Sequence, residues 1–235
     1  MNLLETKQLS FSYKNQQVLK NINLAIPQGC IYGYLGKNGA GKSTTIKVLL
    51  GLQEAPSHTI FYKGKEVNHY HEVFSNIGNL IETSTYYASL TGYENLKYLD
   101  LLYHCGEKRI EEVLELIGLK KESNKKVKYF STGMKQRLGI GMAIFHNPDF
   151  LILDEPFNGL DPEGIFDMRN LLINLKDEGK TVFFSTHILG EVEKLCTYIG
   201  ILHRGNLLFQ GKFEDLPIDS SLETTFLHLT ADNHE

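Results

Sequence analysis

The chain has 235 residues, 42% of them hydrophobic and 22% charged, which supplies a sizeable core for one large domain or two small ones. A net charge of −4 and a pI of about 6.1 exclude an overall basic field of the kind that recruits nucleic acid. Three cysteines, Cys30, Cys105 and Cys196, are far apart, odd in number and lack metal-ligand spacing, so they are read as reduced core thiols in a cytosolic setting.

The opening residues, Met1 to Lys7, lack the basic-then-apolar pattern of a secretory signal, and the chain is expected to stay inside the cell. No run approaches the roughly 18 consecutive apolar residues that span a bilayer, so any membrane role is expected to come through a partner. Short apolar or alternating runs over 3–9, 17–26 and 30–35, broken at Lys14-Asn15 and Pro27-Gln28-Gly29, predict strands. Tyr13, just before the second of these, suits either ordinary strand packing or stacking on a purine.

The third run leads into Gly36-Lys37-Asn38-Gly39-Ala40-Gly41-Lys42-Ser43, a Gly-x-x-x-x-Gly-Lys-Ser pattern. Such a loop turns several backbone N–H groups toward one point, adds the mobile charge of Lys42 for the β- and γ-phosphates, and offers the Ser43 hydroxyl to Mg2+. Thr44 to Leu50 then reads as a helix whose N-terminus faces the same phosphates, stopped by Gly51. Residues 59–65 predict a strand entering a Lys63-Gly64 turn, part of an antiparallel flap. Residues 76–82 predict a further short strand ending at Glu82.

From Thr91 to Asn147 the pattern turns helical, with a stripe at Leu96, Leu99 and Tyr103 and another at Ile110, Val113, Leu114 and Ile117, closed by Gly118. The charged run from Lys120 to Lys126 reads as a solvated connection. Phe150 to Glu155 is a buried strand that delivers two adjacent acids, Asp154 and Glu155, at its end. Two such carboxylates repel each other, so a cation or a proton-transfer task is the expected compensation. Asp161 caps the next helix with Pro162 in its first turn, and Gly179 ends it. Residues 181–185 predict another buried strand, and His187 follows it. Its place beside a phosphate loop and an acid pair favours a phosphate contact over a structural role. A hairpin around Arg204-Gly205 and a weakly specified tail over 213–235 complete the chain.

These residues together resemble the ATP-binding subunit of an ATP-binding cassette (ABC) transporter over nearly the whole length. Besides the phosphate loop and the acid pair, Phe130-Ser131-Thr132-Gly133-Met134-Lys135-Gln136 resembles the family's signature of Leu-Ser-Gly-Gly-Gln type. Asn158-Gly159-Leu160-Asp161 resembles the loop after the acid-bearing strand, His187 the switch histidine, and Tyr13 the aromatic that stacks on adenine. Thr132 and Met134 depart from the usual signature, and Glu82 stands where most such subunits have glutamine. That combination is similar to the subgroup exporting lantibiotics, bacitracin and related peptides for self-protection.

The resemblance implies an α/β P-loop NTPase fold of ABC ATPase type. It would have a mostly parallel core sheet, an antiparallel β subdomain and an inserted helical subdomain at about 83–147, all within a single domain over 1–235. It implies ATP and Mg2+ as cofactors, and ATP bound by Tyr13, Gly36 to Thr44, Ser131, Gly133 and Asp161. Ser43, Glu82 and Asp154 would hold the metal, with Glu155 and His187 as catalytic residues. The implied partners are a membrane permease and a second ATPase subunit packed head to tail, with no nucleic acid, at the inner face of the cell membrane. A translation or DNA-repair ATPase would need a second cassette, a coiled-coil insertion or a basic channel, none of which the chain displays. A nucleotide sensor without turnover would be expected to lack Glu155 or Ser131.

Overall fold

The computed structural model describes residues 1–67, 73, 75–81, 86–217 and 221–231. Its centre is a six-stranded sheet in the order β12, β11, β5, β10, β9, β8. The strands are β5 (Ile31–Leu35), β8 (Ile77–Leu80), β9 (Phe150–Asp154), β10 (Thr181–Thr186), β11 (Tyr198–His203) and β12 (Asn206–Lys212). All neighbours run parallel except β12, which folds back on β11.

Every residue of β5, β9 and β10 is buried, as expected of parallel strands covered on both faces. The period-two alternation of a strand divides their side chains between two cores. Ile31, Leu35, Leu151, Leu153, Val182 and Phe184 belong to one, and Tyr32, Tyr34, Phe150, Ile152 and Phe183 to the other.

The second core is closed by antiparallel strands. Those of the four-stranded sheet are β1 (Asn2–Thr6), β4 (Ala25–Pro27), β6 (Ile60–Tyr62) and β7 (Lys65–Glu66), in the order β4, β1, β6, β7. A separate hairpin joins β2 (Leu9–Tyr13) to β3 (Gln16–Ile22). Two expected strands are therefore each split. The first breaks at Lys7-Gln8, where Gln8 has a φ of +49°, and the second breaks between Ile22 and Ala25. Lys63 and Gly64 turn with φ of +49° and +77°, and Arg204 and Gly205 with +45° and +78°. Both pairs therefore match the two-residue hairpin whose twist fits the flanking strands.

The first core is covered by helices. Between β8 and β9 in the chain come α2 (Gly92–Tyr103), α3 (Glu107–Leu116) and α4 (Thr132–Ile144), numbered after α1 (Lys42–Leu49). Thr91 starts α2 with a reciprocal capping box to Glu94, and Gly118, at a φ of +66°, lies just past the end of α3. Of the expected α2 stripe, Leu96 is buried and Leu99 half-buried, whereas Tyr103 is exposed and stacks on His146 at 4.7 Å. A Cβ at Gly78 would sit 2.1 Å from the Ala143 carbonyl, so glycine is what lets α4 lie directly on β8.

The chain then forms α5 (Pro162–Asp177), α6 (Leu189–Leu195) and α7 (Leu222–Leu229). The last is a difference from the weakly specified tail expected there. Ser221 caps it by accepting the Thr224 N–H at 3.1 Å, and Leu222 and Phe226, one turn apart, enter the first core. Eight residues give too short a period to stand out in the sequence.

Candidate functional site

Strand order assembles the site. With β10 between β5 and β9, Thr186 pairs with Leu35 and Ser185 with Asp154, so the C-terminal ends of three strands open at one level. In open α/β sheets, ligands bind in the crevice outside these ends.

From β5 the chain enters the loop Gly36–Ser43. Gly39 and Gly41 have φ of +81° and +113°, values that only glycine adopts freely, and a Cβ at Gly36 would meet the Leu202 carbonyl at 2.7 Å. Gly41 starts α1 without a side-chain cap, and no acid lies in the first turn. The helix therefore presents unsatisfied N–H groups and its positive end to the loop. Lys42 is 6% exposed; its Nζ donates to the Gly36 carbonyl at 2.7 Å and lies 3.3 Å from Glu155 Oε1. A depression of about 370 Å3 is lined by the loop, Thr44, Val18 and Glu155.

The acid pair is relieved by divergence. Asp154 ends β9 and is buried, whereas Glu155 adopts a φ of +49°, which swings its side chain away. Ser185 holds both residues: its hydroxyl donates to Asp154 Oδ1 at 2.5 Å and accepts the Glu155 N–H at 3.0 Å. The freed Glu155 carboxylate lies between two nitrogens, Lys42 Nζ on one oxygen and His187 Nδ1 at 2.9 Å from the other. The expected cation beside the acids is thus a lysine from the phosphate loop. Ser185 is missing from the sequence expectations. Its signal was only a polar residue in an apolar run, two positions before His187.

The other expected residues lie elsewhere. Tyr13 is 42% exposed on β2, edge-on to Phe11 at 4.9 Å, and is not among the residues lining the depression. Ser131 caps α4 by accepting the Met134 N–H at 3.2 Å, and Asp161 caps α5 by accepting the Gly164 N–H at 2.9 Å. These two caps are neighbours, since a Cβ at Gly133 would lie 3.8 Å from Leu160 and 3.9 Å from Gly164. Glu82 lies outside the described residues. Among the described residues no three His, Cys, Asp or Glu side chains converge as a metal cage. Ser43 lines the depression and Asp154 ends β9; a hydroxyl and a carboxylate are the hard oxygen donors that fit Mg2+, an ion usually held by one or two carboxylates together with substrate phosphates.

A parallel sheet feeding a Gly-rich phosphate loop that opens a helix defines the class of P-loop nucleoside triphosphatases, and here an acid after β9 and a histidine after β10 stand beside that loop. Residues 19–158 match the ABC transporter family. The chain is 44% identical over 217 residues to the bacitracin transport ATP-binding protein BcrA of Enterococcus faecalis, covering 91% of this chain and 70% of that one. It is 39% identical to the lantibiotic transport ATP-binding protein SrtF of Streptococcus pyogenes, covering 90% of this chain and 92% of that one. A solved structure described as the ATP-binding subunit of an ABC transporter superposes with a TM-score of 0.85 at 33% identity, covering 97% and 99% of the two chains. The chain belongs to the ABC transporter family, as an ATP-binding subunit that couples ATP hydrolysis to transport.

Proposed function

We propose that this cassette drives export of an antimicrobial peptide of bacitracin or lantibiotic type through a separate membrane permease, with Glu155 as the base that activates water. The observation that carries the catalytic part is the Glu155 carboxylate held between Lys42 at 3.3 Å and His187 at 2.9 Å. Lys42 and the loop N–H groups from Gly36 to Thr44 hold the phosphates, and Tyr13 stacks on the adenine. Ser43, Asp154 and Glu82 hold Mg2+, which when bound neutralises phosphate charge. Glu155 takes the proton of the attacking water, and His187 keeps the γ-phosphate and that water in line.

One chain carries half of each site in this reading. A second copy packs head to tail, so that its Ser131, Gly133 and α4 N-terminus face the γ-phosphate from the opposite side, with Asp161 nearby. No described helix is long and apolar enough to cross a membrane. The cassette works at the inner face of the cell membrane, on a permease that meets the segment from Glu82 to Leu90 and the helices after it. It forms a single domain over 1–235, with a helical subdomain at about 83–147. The peptide class is supported by the bacitracin and lantibiotic transport relatives.

Glu155→Gln tests the chemistry: ATP binding is kept, phosphate release nearly vanishes, and a nucleotide-bound dimer accumulates, because the amide keeps the size but not the base. Wild-type turnover would remove Glu155 from this role. Glu82→Gln should raise the Mg2+ needed for half-maximal hydrolysis while sparing much of the maximal rate, since an amide attracts the ion less than a carboxylate does. Identical magnesium titrations would leave Glu82 outside the metal site. Cells carrying the chain with its permease should tolerate bacitracin or a lantibiotic better than cells carrying Glu155→Gln. Equal sensitivity to both would sink the substrate class.

A further inference from the structure

Among the described residues outside the nucleotide site, the most buried acid on a helix is Glu191, 5% exposed, in the first turn of α6. Its carboxylate receives a two-pronged contact from Arg169 on α5: Arg169 Nε donates to Oε2 at 2.8 Å and Arg169 Nη2 to Oε1 at 2.9 Å. Lys194 adds a weaker contact at 3.6 Å.

The location gives this pair its meaning. Both helices emerge from the catalytic end of the sheet: α5 follows Glu155 by way of the loop capped at Asp161, and α6 follows His187 almost at once. Glu155 and His187 touch at one end, at 2.9 Å, and Arg169 and Glu191 touch at the other. The four residues thus close a ring through two short arms, 156–168 and 188–190. The arm bearing His187 needs such a tie, because α6 has only seven residues and Ile188 gives it no side-chain cap. A helix this short has little stability of its own. Val192, Leu195 and Cys196 press α6 onto the core and fix the face it buries, but apolar burial is non-directional and leaves small rotations about the helix axis open. A bidentate arginine-carboxylate fork is directional and closes that freedom. Glu191 lies four residues, about one helical turn, past His187, so rotation of α6 carries the imidazole with it.

We infer that the Arg169–Glu191 fork is a positioning device for hydrolysis, setting the orientation of α6 and through it the placement of His187 against Glu155. The inference rests on the roles proposed above for Glu155 and His187.

Arg169→Lys tests it, because lysine keeps the charge as a single point and loses the fork. In the purified chain, kcat should fall by about tenfold to a hundredfold, as small misplacements of reacting groups do. KM for MgATP should stay within about twofold of wild type, since the phosphate loop is untouched. The deciding measurement is a double-mutant cycle with His187→Ala under single-turnover conditions. If Arg169 acts through His187, adding Arg169→Lys to His187→Ala should change the residual rate by less than about twofold. A merely structural pair would lower the rate by the same factor in both backgrounds, and that result overturns the inference, as does a wild-type kcat in Arg169→Lys alone. Should Arg169→Lys fail to fold, Arg169→Met/Glu191→Leu takes its place in the same cycle, since it leaves no buried charge unpaired. Glu155→Gln is run alongside. Wild-type turnover in Glu155→Gln or His187→Ala sinks the underlying reading, whereas their loss beside an unaffected Arg169→Lys sinks this inference alone.

Discussion

A single hydroxyl organises the chemistry of this site. Ser185 is fully buried and bonds Asp154 and Glu155 at once, which allows two adjacent carboxylates to point at different partners. Ser185→Ala leaves the Asp154 oxygen and the Glu155 N–H without that partner in a dry environment, at a cost of about 1–3 kcal/mol. It also loosens the left-handed turn that aims Glu155. The variant should melt several degrees lower and hydrolyse ATP more slowly than wild type. A melting temperature and a rate both equal to wild type, read by calorimetry and phosphate release, would show that the hydroxyl is dispensable.

Among the elements, the end of α4 is the one whose packing should respond to pH. His146 follows it, stacked on Tyr103 of α2, and neither ring nitrogen has a hydrogen-bond partner among the described residues. Burial lowers its pKa below the ordinary value; the nearby Ile77 backbone works against this, and the charges of Arg109 and Lys180 act with it. Arg109 donates to the Ile144 and Phe145 carbonyls and Lys180 to the Asn147 side chain and the Pro148 carbonyl, so both cations are held close. With the folded-state pKa depressed, the neutral ring contributes fully above the unfolded value of about 6.5. That contribution falls as pH drops below it, because the unfolded chain takes up a proton that the folded one resists. His146→Phe keeps a ring for Tyr103 and removes the titration. Urea midpoints at about pH 7.5 and about pH 5.5 should therefore fall further in wild type than in the variant. An equal fall in both would exclude His146 as the source.

At the scale of the whole molecule, Ser131 and Lys42 are carried by different elements of one chain: Lys42 is buried at the phosphate loop, and Ser131 is exposed at the cap of α4. In the head-to-tail dimer proposed above, each site draws Lys42 from one copy and Ser131 from the other. A mixed dimer of Lys42→Ala with Ser131→Arg should then recover ATPase activity that neither homodimer has, up to the output of one site. Because Ser131 is also a helix cap, its replacement costs about 1 kcal/mol, and each parent is checked for folding first. A mixture of folded parents as inactive as either alone would argue against sites shared between copies.

Much of this protein was legible residue by residue, wherever the physics is local. The glycines of the phosphate loop, the cap at Asp161 followed by Pro162 and the stop at Gly179 each act within a few positions, so the sequence by itself determined them. The apolar run of β5 likewise announced a strand, and those of β9 and β10 announced buried ones. The rest depends on order across the sheet. β10 comes last of these three in the chain yet lies between β5 and β9. This places Ser185 beside Asp154, and with it Lys42 and His187 on the Glu155 carboxylate. No spacing along the chain encodes that insertion, because hydrogen-bonded pairing between parallel strands carries little information about which neighbour is chosen. The Arg169–Glu191 fork and the burial of Leu222 and Phe226 were hidden for the same reason. A charge or a short apolar pair acquires its meaning from the element packed against it, and that element is supplied by a distant part of the fold.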